Sequence, residues 1–250
     1  MLRIFTVLLF SALLLFACND YGTNANNEEP NENENPNEVE DGDLELVYFF
    51  YFNGDMPNNT PLTEYEAWFQ ADAEGWIRFE SALEGYPFDS SHENWRQASM
   101  ERRNQPTAIN YRPEGNEGNE YVEGEMRAMQ VRNPFRDANR ENTLILDVPT
   151  IGYSRPVLSL AAMNEGGAEA LIIDYSVAEG NPVWITEGIT SEHQLQSEFS
   201  LIQVVFPPNT DTRDNENFKI RIRFDDVTTE DEETYRVTFN NIALDAVLIQ

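Results

Sequence analysis

Cysteine, histidine and lysine are the residues that this sequence has least of. The 250-residue chain has one cysteine, Cys18, so an intrachain disulfide and a cysteine-rich zinc site are excluded. Its two histidines, His92 and His193, cannot form a three-histidine metal site. Basic residues number 16 against 45 acidic ones, and Lys219 is the only lysine. Because phosphate backbones require clustered Lys and Arg, a formal net charge of -29 makes nucleic acid a poor partner.

The sequence also lacks the short motifs of common catalytic sites. It has no Gly-x-Ser-x-Gly nucleophile elbow, no phosphate-binding loop and no His-Glu-x-x-His zinc motif. Paired carboxylates could still meet in space, but coincidental pairs are expected among 45 acidic residues. The sequence therefore predicts a protein that is not an enzyme, with a hydrolase as the less favoured alternative.

Residues 1–17 have the pattern of a secretion signal. Arg3 precedes an apolar run over Ile4–Phe16, which is shorter than the roughly 20 residues of a membrane-spanning helix. The run ends at Leu15-Phe16-Ala17-Cys18, which resembles a bacterial lipobox. That resemblance implies cleavage before Cys18, lipidation of its sulfur and anchoring of the protein in a membrane. The alternative is a soluble secreted protein that is cleaved near Ala17.

Residues 18–43 contain the cysteine and a low-complexity segment rich in Asn and Glu. Asn19–Asp43 holds nine acidic residues, no basic ones and almost nothing apolar. Such a composition cannot bury enough surface to offset the entropy of ordering, so we predict a disordered tether. The acidic run after Cys18 resembles the export signals of surface lipoproteins in the Bacteroidota, which implies an outward-facing location on the outer membrane. A solvated spacer without an export role would have the same composition.

Residues 44–250 are predicted to form a single all-β domain, an antiparallel β-sandwich or jelly roll of about ten strands. Leu46–Phe52 is a nearly continuous apolar strand that we expect to be buried on both faces. Ser90–Arg103 is the only helix candidate, with few apolar residues. Short strands with turn residues between them favour a sandwich. The other strand candidates are Trp76–Glu80, Met126–Arg132, Thr143–Val148, Pro156–Met163, Ala168–Val177 and Gln194–Phe206.

Two alternating segments near the end of the chain predict an antiparallel hairpin. In Phe218–Phe224 and Tyr235–Phe239, apolar and polar side chains alternate, as in strands with one buried and one exposed face. Like charges side by side on a sheet destabilise it. The exposed face therefore needs acidic residues on adjacent strands, or an anionic ligand such as a uronate or sulfated glycan. The basic stripe on that face would consist of Lys219, Arg221, Arg223 and Arg236.

Several segments resemble, in order, a β-sandwich module that recurs in surface lipoproteins and secreted proteins of Bacteroidota. They span essentially all of 44–250 and are Tyr48–Asp55, Val131–Pro134, Val148–Tyr153, Leu158–Val177, Phe218–Asp226 and Arg236–Val247. The family is similar in build to jelly-roll carbohydrate-binding modules, in which the last strand and a carboxylate near the first strand hold a structural calcium. The resemblance implies a structural Ca²⁺ site at Asp55, Asn240, Asn241 and Asp245, with loop capping by Asn241 and Asp245 as the alternative. Asn240 stands where the family has Asp.

Glycan is the most plausible ligand, by comparison with β-sandwich lectin-like modules. In such modules, flat aromatic rings stack on pyranose faces while carboxamides and carboxylates bind the hydroxyls. The aromatic candidates are Trp95, Trp184, Tyr111 and Tyr153, each with core or loop packing as the alternative; Trp68 and Trp76 are expected in the core. The sequence thus predicts a lipid-anchored, non-catalytic binding or adhesion module for glycan. A structural or assembly lipoprotein that binds a protein partner is the alternative.

Overall fold

In the computed structural model, the part of the chain that the structure describes is an all-β sandwich of two antiparallel sheets. It comprises residues 44–133, 135–208, 211–227 and 234–249, so the predicted signal peptide, Cys18 and the tether lie outside it. Within these ranges, no helix is long and apolar enough to cross a membrane. The strands are β1 (Leu44–Phe50), β2 (Glu64–Glu66), β3 (Phe69–Gln70), β4 (Trp76–Glu80), β5 (Met100–Arg103), β6 (Ala128–Arg132), β7 (Thr143–Asp147), β8 (Tyr153–Glu165), β9 (Ala168–Ser176), β10 (Glu192–Gln194), β11 (Ser200–Val205), β12 (Lys219–Val227) and β13 (Arg236–Leu248).

The two sheets contain seven and six of the described strands. In the first sheet the order is β11-β8-β13-β1-β3, and β6 pairs with β13 and β5 with β6. In the second sheet the order is β10-β9-β12-β7-β4-β2. Every paired strand is antiparallel to its neighbour. The predicted fold class, an all-β antiparallel sandwich, is confirmed.

One main core fills the space between the sheets. Phe218, Phe206 and Tyr175 meet there, and the Phe206 and Phe218 rings lie edge to face at 5.2 Å between centroids. The alternation predicted for β12 is confirmed, since its apolar residues Ile220, Ile222 and Phe224 are buried in this core. Alternating side chains on a strand point to opposite faces, so the cations of β12 lie on the outer face.

A second, smaller core covers the outer face of the first sheet. Phe49 and Tyr51 of the first apolar run lie there with Met126 and Ala243, whereas Tyr48, Phe50 and Phe52 join the main core. The prediction that Leu46–Phe52 is buried on both faces is thus confirmed for Val47–Phe52. The segment that packs on this second core is 104–127, here called the covering loop, which includes a short 3₁₀ helix at Pro113–Asn116.

The predicted C-terminal hairpin is wrong. β12 pairs with β7 and β9 in the second sheet, whereas β13 pairs with β1, β6 and β8 in the first. The chain therefore passes from one sheet to the other between them. Alternation could not reveal this, because in a sandwich each sheet presents one buried face to the same core.

Two other local predictions differ from the structure. Gln194–Phe206 forms parts of two strands, β10 and β11, which belong to different sheets. Ser90–Arg103 contains turns followed by β5 and no α-helix. Arg96 and Ala98 have positive φ angles of 61° and 41°, which a right-handed helix cannot include.

Candidate functional site

The four residues of the predicted basic stripe lie on two different sheets. Lys219, Arg221 and Arg223 alternate along β12 in the second sheet, whereas Arg236 begins β13 in the first. The prediction of one four-residue stripe depended on the hairpin and is wrong for the same reason.

The three cations of β12 have acidic partners on neighbouring strands. Lys219 Nζ lies 2.5 Å from Asp147 Oδ1 on β7. Arg221 donates from Nε and Nη2 to the two carboxylate oxygens of Asp174 on β9, at 2.8 and 2.7 Å. Arg223 donates to the same Asp174 at 3.2 Å. Acidic residues on adjacent strands therefore balance these charges, which is one of the two compensations predicted.

Trp184 packs on this group of ion pairs. The Arg221 guanidinium carbon lies 4.5 Å from the centroid of the Trp184 ring, within the range of a cation–π contact. The Asp174 side chain beneath is only 3 % exposed. A pyranose stacked on this face of Trp184 would have to displace Arg221.

Arg236 lies among polar groups of the first sheet. Its Nη1 donates to Gln130 Oε1 at 3.0 Å and its Nε donates to the Thr234 carbonyl at 2.7 Å. Burial, and then the nearby charge of Arg103, lower the pKa of Arg236 from its usual value. Its role in ligand binding stays a prediction.

The two predicted tyrosines are packing residues in the structure. Tyr153 is buried, so its ring is not available for stacking; burial and a hydrogen bond with Asp72 raise its pKa to about 12. Tyr111 belongs to the covering loop and lies edge to face against Phe49 at 6.0 Å. Its hydroxyl donates to the Asn119 carbonyl at 2.9 Å.

Trp95 borders a shallow depression of about 430 Å³ with a mixed lining of prolines, Phe88 and short polar side chains. The Arg96 guanidinium lies 5.5 Å from the Trp95 ring centroid. Trp95 is half-buried, and its sugar-binding role stays a prediction.

The four calcium candidates have individual protein partners. The Asn241 amide donates to the carbonyls of Thr107 and Ile109 at 2.8 and 2.9 Å, and the Asn240 amide donates to that of Arg127 at 2.7 Å.

Asp245 pairs with Arg112 at 2.8 Å; its burial raises the pKa of its carboxyl, an effect that Arg112 opposes. Asp55 is exposed, and its backbone N–H donates to Asn53 Oδ1 at 2.9 Å. The described residues contain no group of three or more Asp, Glu, His or Cys placed to hold a metal ion. The calcium site stays a prediction.

The prediction that Trp68 lies in the core is wrong. Its side chain is 48 % exposed, because the neighbouring Ala67 takes the inward position. The backbone N–H of Trp68 donates to the Phe49 carbonyl at 2.9 Å, which fixes it beside β1. Its ring meets Tyr51 at 5.4 Å with an interplanar angle of 67°.

Trp76 is also outside the core. It lies at the start of β4, where Ile77 and not Trp76 faces inward, and it is half-buried. Arg78 of the same strand lies 5.8 Å from its ring centroid.

Trp68 and Tyr51 line a cavity of about 350 Å³ between the first sheet and the covering loop, here called the Trp68 cavity. This volume is at the small end of the roughly 300–1,000 Å³ typical of ligand pockets. Its lining combines aromatic, carboxamide and carboxylate side chains with two apolar ones, which are Tyr51, Asn53, Trp68, Asn116, Asn119, Glu120, Val122, Glu125 and Met126.

The two carboxylates that line the Trp68 cavity are open to a ligand. Glu120 and Glu125 are exposed, and within the described residues neither carboxylate forms an ion pair or a side-chain hydrogen bond. The length of the covering loop was the signal that could have indicated this site. An ordered connection over 104–127 without strand or helix periodicity is uncommon in a compact domain unless it has a function.

The covering loop can approach β1 closely because Gly115 has no side chain. Gly115→Ala should therefore lower the free energy of unfolding by about 1–3 kcal/mol. A Cβ there would lie 2.7 Å from Phe49 Cδ1 and 2.9 Å from Leu46 Cδ2, so either the loop or these two side chains must shift. Urea denaturation measures the change. Gly124→Ala in the same loop is the control, because its Cβ meets nothing within 4 Å. Equal stability of the two variants would contradict the tight seating of the loop.

No protein-family model matches the chain, and no curated protein matches it. Among solved structures, the K2 cleaved adhesin domain of Lys-gingipain has a TM-score of 0.40 and 9% identity, covering 80% of this chain and 98% of that one. The N-terminal cellulose-binding domain of Cellulomonas fimi β-1,4-glucanase C has a TM-score of 0.33 and 15% identity, covering 49% of this chain and 80% of that one.

A third similar structure is the enzymatically active domain of bacteriophage CBA120 tailspike protein 4, with a TM-score of 0.40 and 8% identity. The match covers 69% of this chain but only 19% of the tailspike chain. Similarity at these identities and TM-scores indicates neither the ligand nor the activity of this chain.

Proposed function

We propose that this protein is a non-catalytic glycan-binding module and that the Trp68 cavity holds the sugar. The observation that carries the proposal is the half-exposed indole of Trp68 beside carboxylates that have no partner within the described residues. An indole supplies a flat apolar surface for the C–H face of a pyranose, while carboxylates and carboxamides accept hydrogen bonds from its hydroxyls.

The geometry of the cavity supports this chemistry. A hydrogen bond to β1 fixes the backbone of Trp68, and the contact with Tyr51 restricts its ring, so less side-chain entropy is lost when a ligand stacks on it. The polar groups opposite come from the covering loop, which Gly115 and Tyr111 seat on the sheet. A rigid aromatic residue facing adaptable polar groups suits a small polyhydroxylated ligand.

Affinity gel electrophoresis on a panel of neutral, acidic and amino-sugar polysaccharides tests the proposal. We expect the protein to be retarded by at least one of them. No retardation by any polysaccharide would contradict glycan binding and favour the protein-partner alternative. Release of reducing sugar during incubation with the retarding polysaccharide would contradict the non-catalytic assignment.

Lipid anchoring through Cys18 is part of the proposed function, with the module facing outward from a bacterial outer membrane. In a bacterial host that processes lipoproteins, the chain should enter the detergent phase of a Triton X-114 partition, because two or three acyl chains anchor firmly. Cys18→Ser should move it to the aqueous phase. A wild-type chain that stays aqueous, with an unmodified N-terminus by mass spectrometry, would contradict the anchor.

A further inference from the structure

The Trp68 cavity has a charge pattern that narrows the class of glycan. Two carboxylates, Glu120 and Glu125, line it, and none of its lining residues is Lys, Arg or His. A ligand in this cavity therefore meets negative charge with no cation among the lining side chains.

Two arginines lie near this region, and both donate to backbone carbonyls. Arg127 Nη1 donates to the Gly124 carbonyl at 3.0 Å. Arg102 Nη1 donates to the Met56 carbonyl at 3.0 Å. Neither forms an ion pair with a carboxylate of the described residues. The two glutamates are thus left for a ligand.

The ionisation of Tyr51 is opposed by burial and by one of these two carboxylates, that of Glu125. Burial raises the pKa of Tyr51 most, and Tyr111, Glu125 and Asp55 raise it further. Tyr51 lines the cavity, so these charges act at the place where a ligand binds. Such a field favours a cation over a neutral or negative group.

The aromatic and amide groups of the cavity also suit a cation with N–H donors. The Trp68 ring, which is half exposed and packs edge to face on the buried Tyr51, offers a π face that attracts positive charge. Asn116 is 8 % exposed, and its Nδ2 donates to the Tyr111 hydroxyl at 2.7 Å. Within the described residues no hydrogen bond to its Oδ1 is found, so this oxygen remains as an acceptor among the residues that line the cavity.

We propose that the Trp68 cavity selects glycans whose amino sugars carry a free, protonated amine over their N-acetylated and acidic counterparts. This inference rests on the proposed glycan-binding function and names its ligand class. The pyranose face stacks on Trp68 while the ammonium donates to Glu120 and Glu125 in charge-assisted hydrogen bonds. N-acetylation removes the charge, and a uronate would bring a third carboxylate next to two others.

Two oligosaccharides of equal length test this selection: a glucosamine hexamer and an N-acetylglucosamine hexamer. Calorimetric titration at about pH 6 keeps the amines protonated, and about 150 mM salt screens general attraction to the acidic surface. We expect the glucosamine hexamer to bind the wild-type protein at least tenfold more tightly. The double variant Glu120→Gln/Glu125→Gln should lose that preference and keep the weaker binding of the N-acetylated hexamer.

A second double variant, Glu179→Gln/Glu198→Gln, is the control for net charge. Both residues are exposed and neither lines the cavity, so this variant changes the charge equally and should keep the preference. An equal loss in both double variants would show general attraction of a polycation and overturn the selection.

The remaining outcomes separate this inference from the proposed function. Equal affinity for both hexamers would overturn amine selection and leave glycan binding intact. Binding of neither hexamer, with retardation by a neutral polysaccharide, would do the same. Binding of polylysine as tight as that of the glucosamine hexamer, equally dependent on Trp68, would show that the sugar is not recognised and would overturn both.

Discussion

Replacing Asp174 with Asn is expected to lower the free energy of unfolding by about 3 kcal/mol, the lower end of the range for breaking a buried ion pair. The Asp174 side chain is 3 % exposed and accepts hydrogen bonds from Arg221 and Arg223. Asn keeps the volume but removes the negative charge, so two guanidinium groups lose their shared counter-ion. Both arginines still reach water, which limits the cost.

Glu64→Gln is the matched control for this prediction. Glu64 pairs with Arg78 at 2.9 Å in the same sheet, but both side chains are about half exposed. A pair of this kind contributes roughly 0–1 kcal/mol, since water screens it. Urea denaturation of the two variants gives the comparison. Equal effects would contradict the role of Asp174 as the buried counter-ion of β12.

Trp68→Ala should weaken glycan binding by about 30-fold or more, which corresponds to roughly 2 kcal/mol, the threshold of a binding hot spot. The substitution removes the stacking surface of the Trp68 cavity. Because the side chain is half exposed, the free energy of unfolding should change by less than about 1 kcal/mol. Calorimetric titration and urea denaturation measure the two quantities separately.

Leu201→Ala is the control for the loss of an exposed apolar side chain. Leu201 lies on β11, is 54 % exposed and does not line the Trp68 cavity. It should leave affinity unchanged, and Trp68→Phe should restore part of it because a smaller ring still stacks. Unchanged affinity in Trp68→Ala would place the ligand elsewhere, with Trp95 or Trp184 as the next candidates.

The sequence predicted which face of a strand is buried better than it predicted which strands pair. Alternation in Phe218–Phe224 identified the buried side of β12, because burial depends only on local periodicity. It could not identify β9 and β7 as the neighbours of β12, since strand pairing in a sandwich joins residues distant in the chain. One residue did carry a signal for that pairing. Asp174 lies within an apolar strand, and a buried carboxylate requires a cationic partner.

The candidate site was harder to predict from the sequence than the fold. Trp68 is beside Ala67 and Phe69, so its local context favours a core position. Its exposure follows from which neighbour turns inward at a two-residue strand, and no periodicity fixes that choice over so short a length. The carboxylates of the cavity come from a loop whose position depends on contacts distant in sequence, among them the packing of Gly115 on Phe49.

The most direct test of the central claim is ¹⁹F NMR of protein labelled with 5-fluorotryptophan. The chain has four tryptophans, so four resonances can be assigned by single Trp→Phe substitutions. During titration with neutral and amino-sugar oligosaccharides, we predict a saturable shift of the Trp68 resonance while those of Trp76, Trp95 and Trp184 stay in place. A shift of the Trp95 or Trp184 resonance with Trp68 unchanged would contradict glycan binding at the Trp68 cavity.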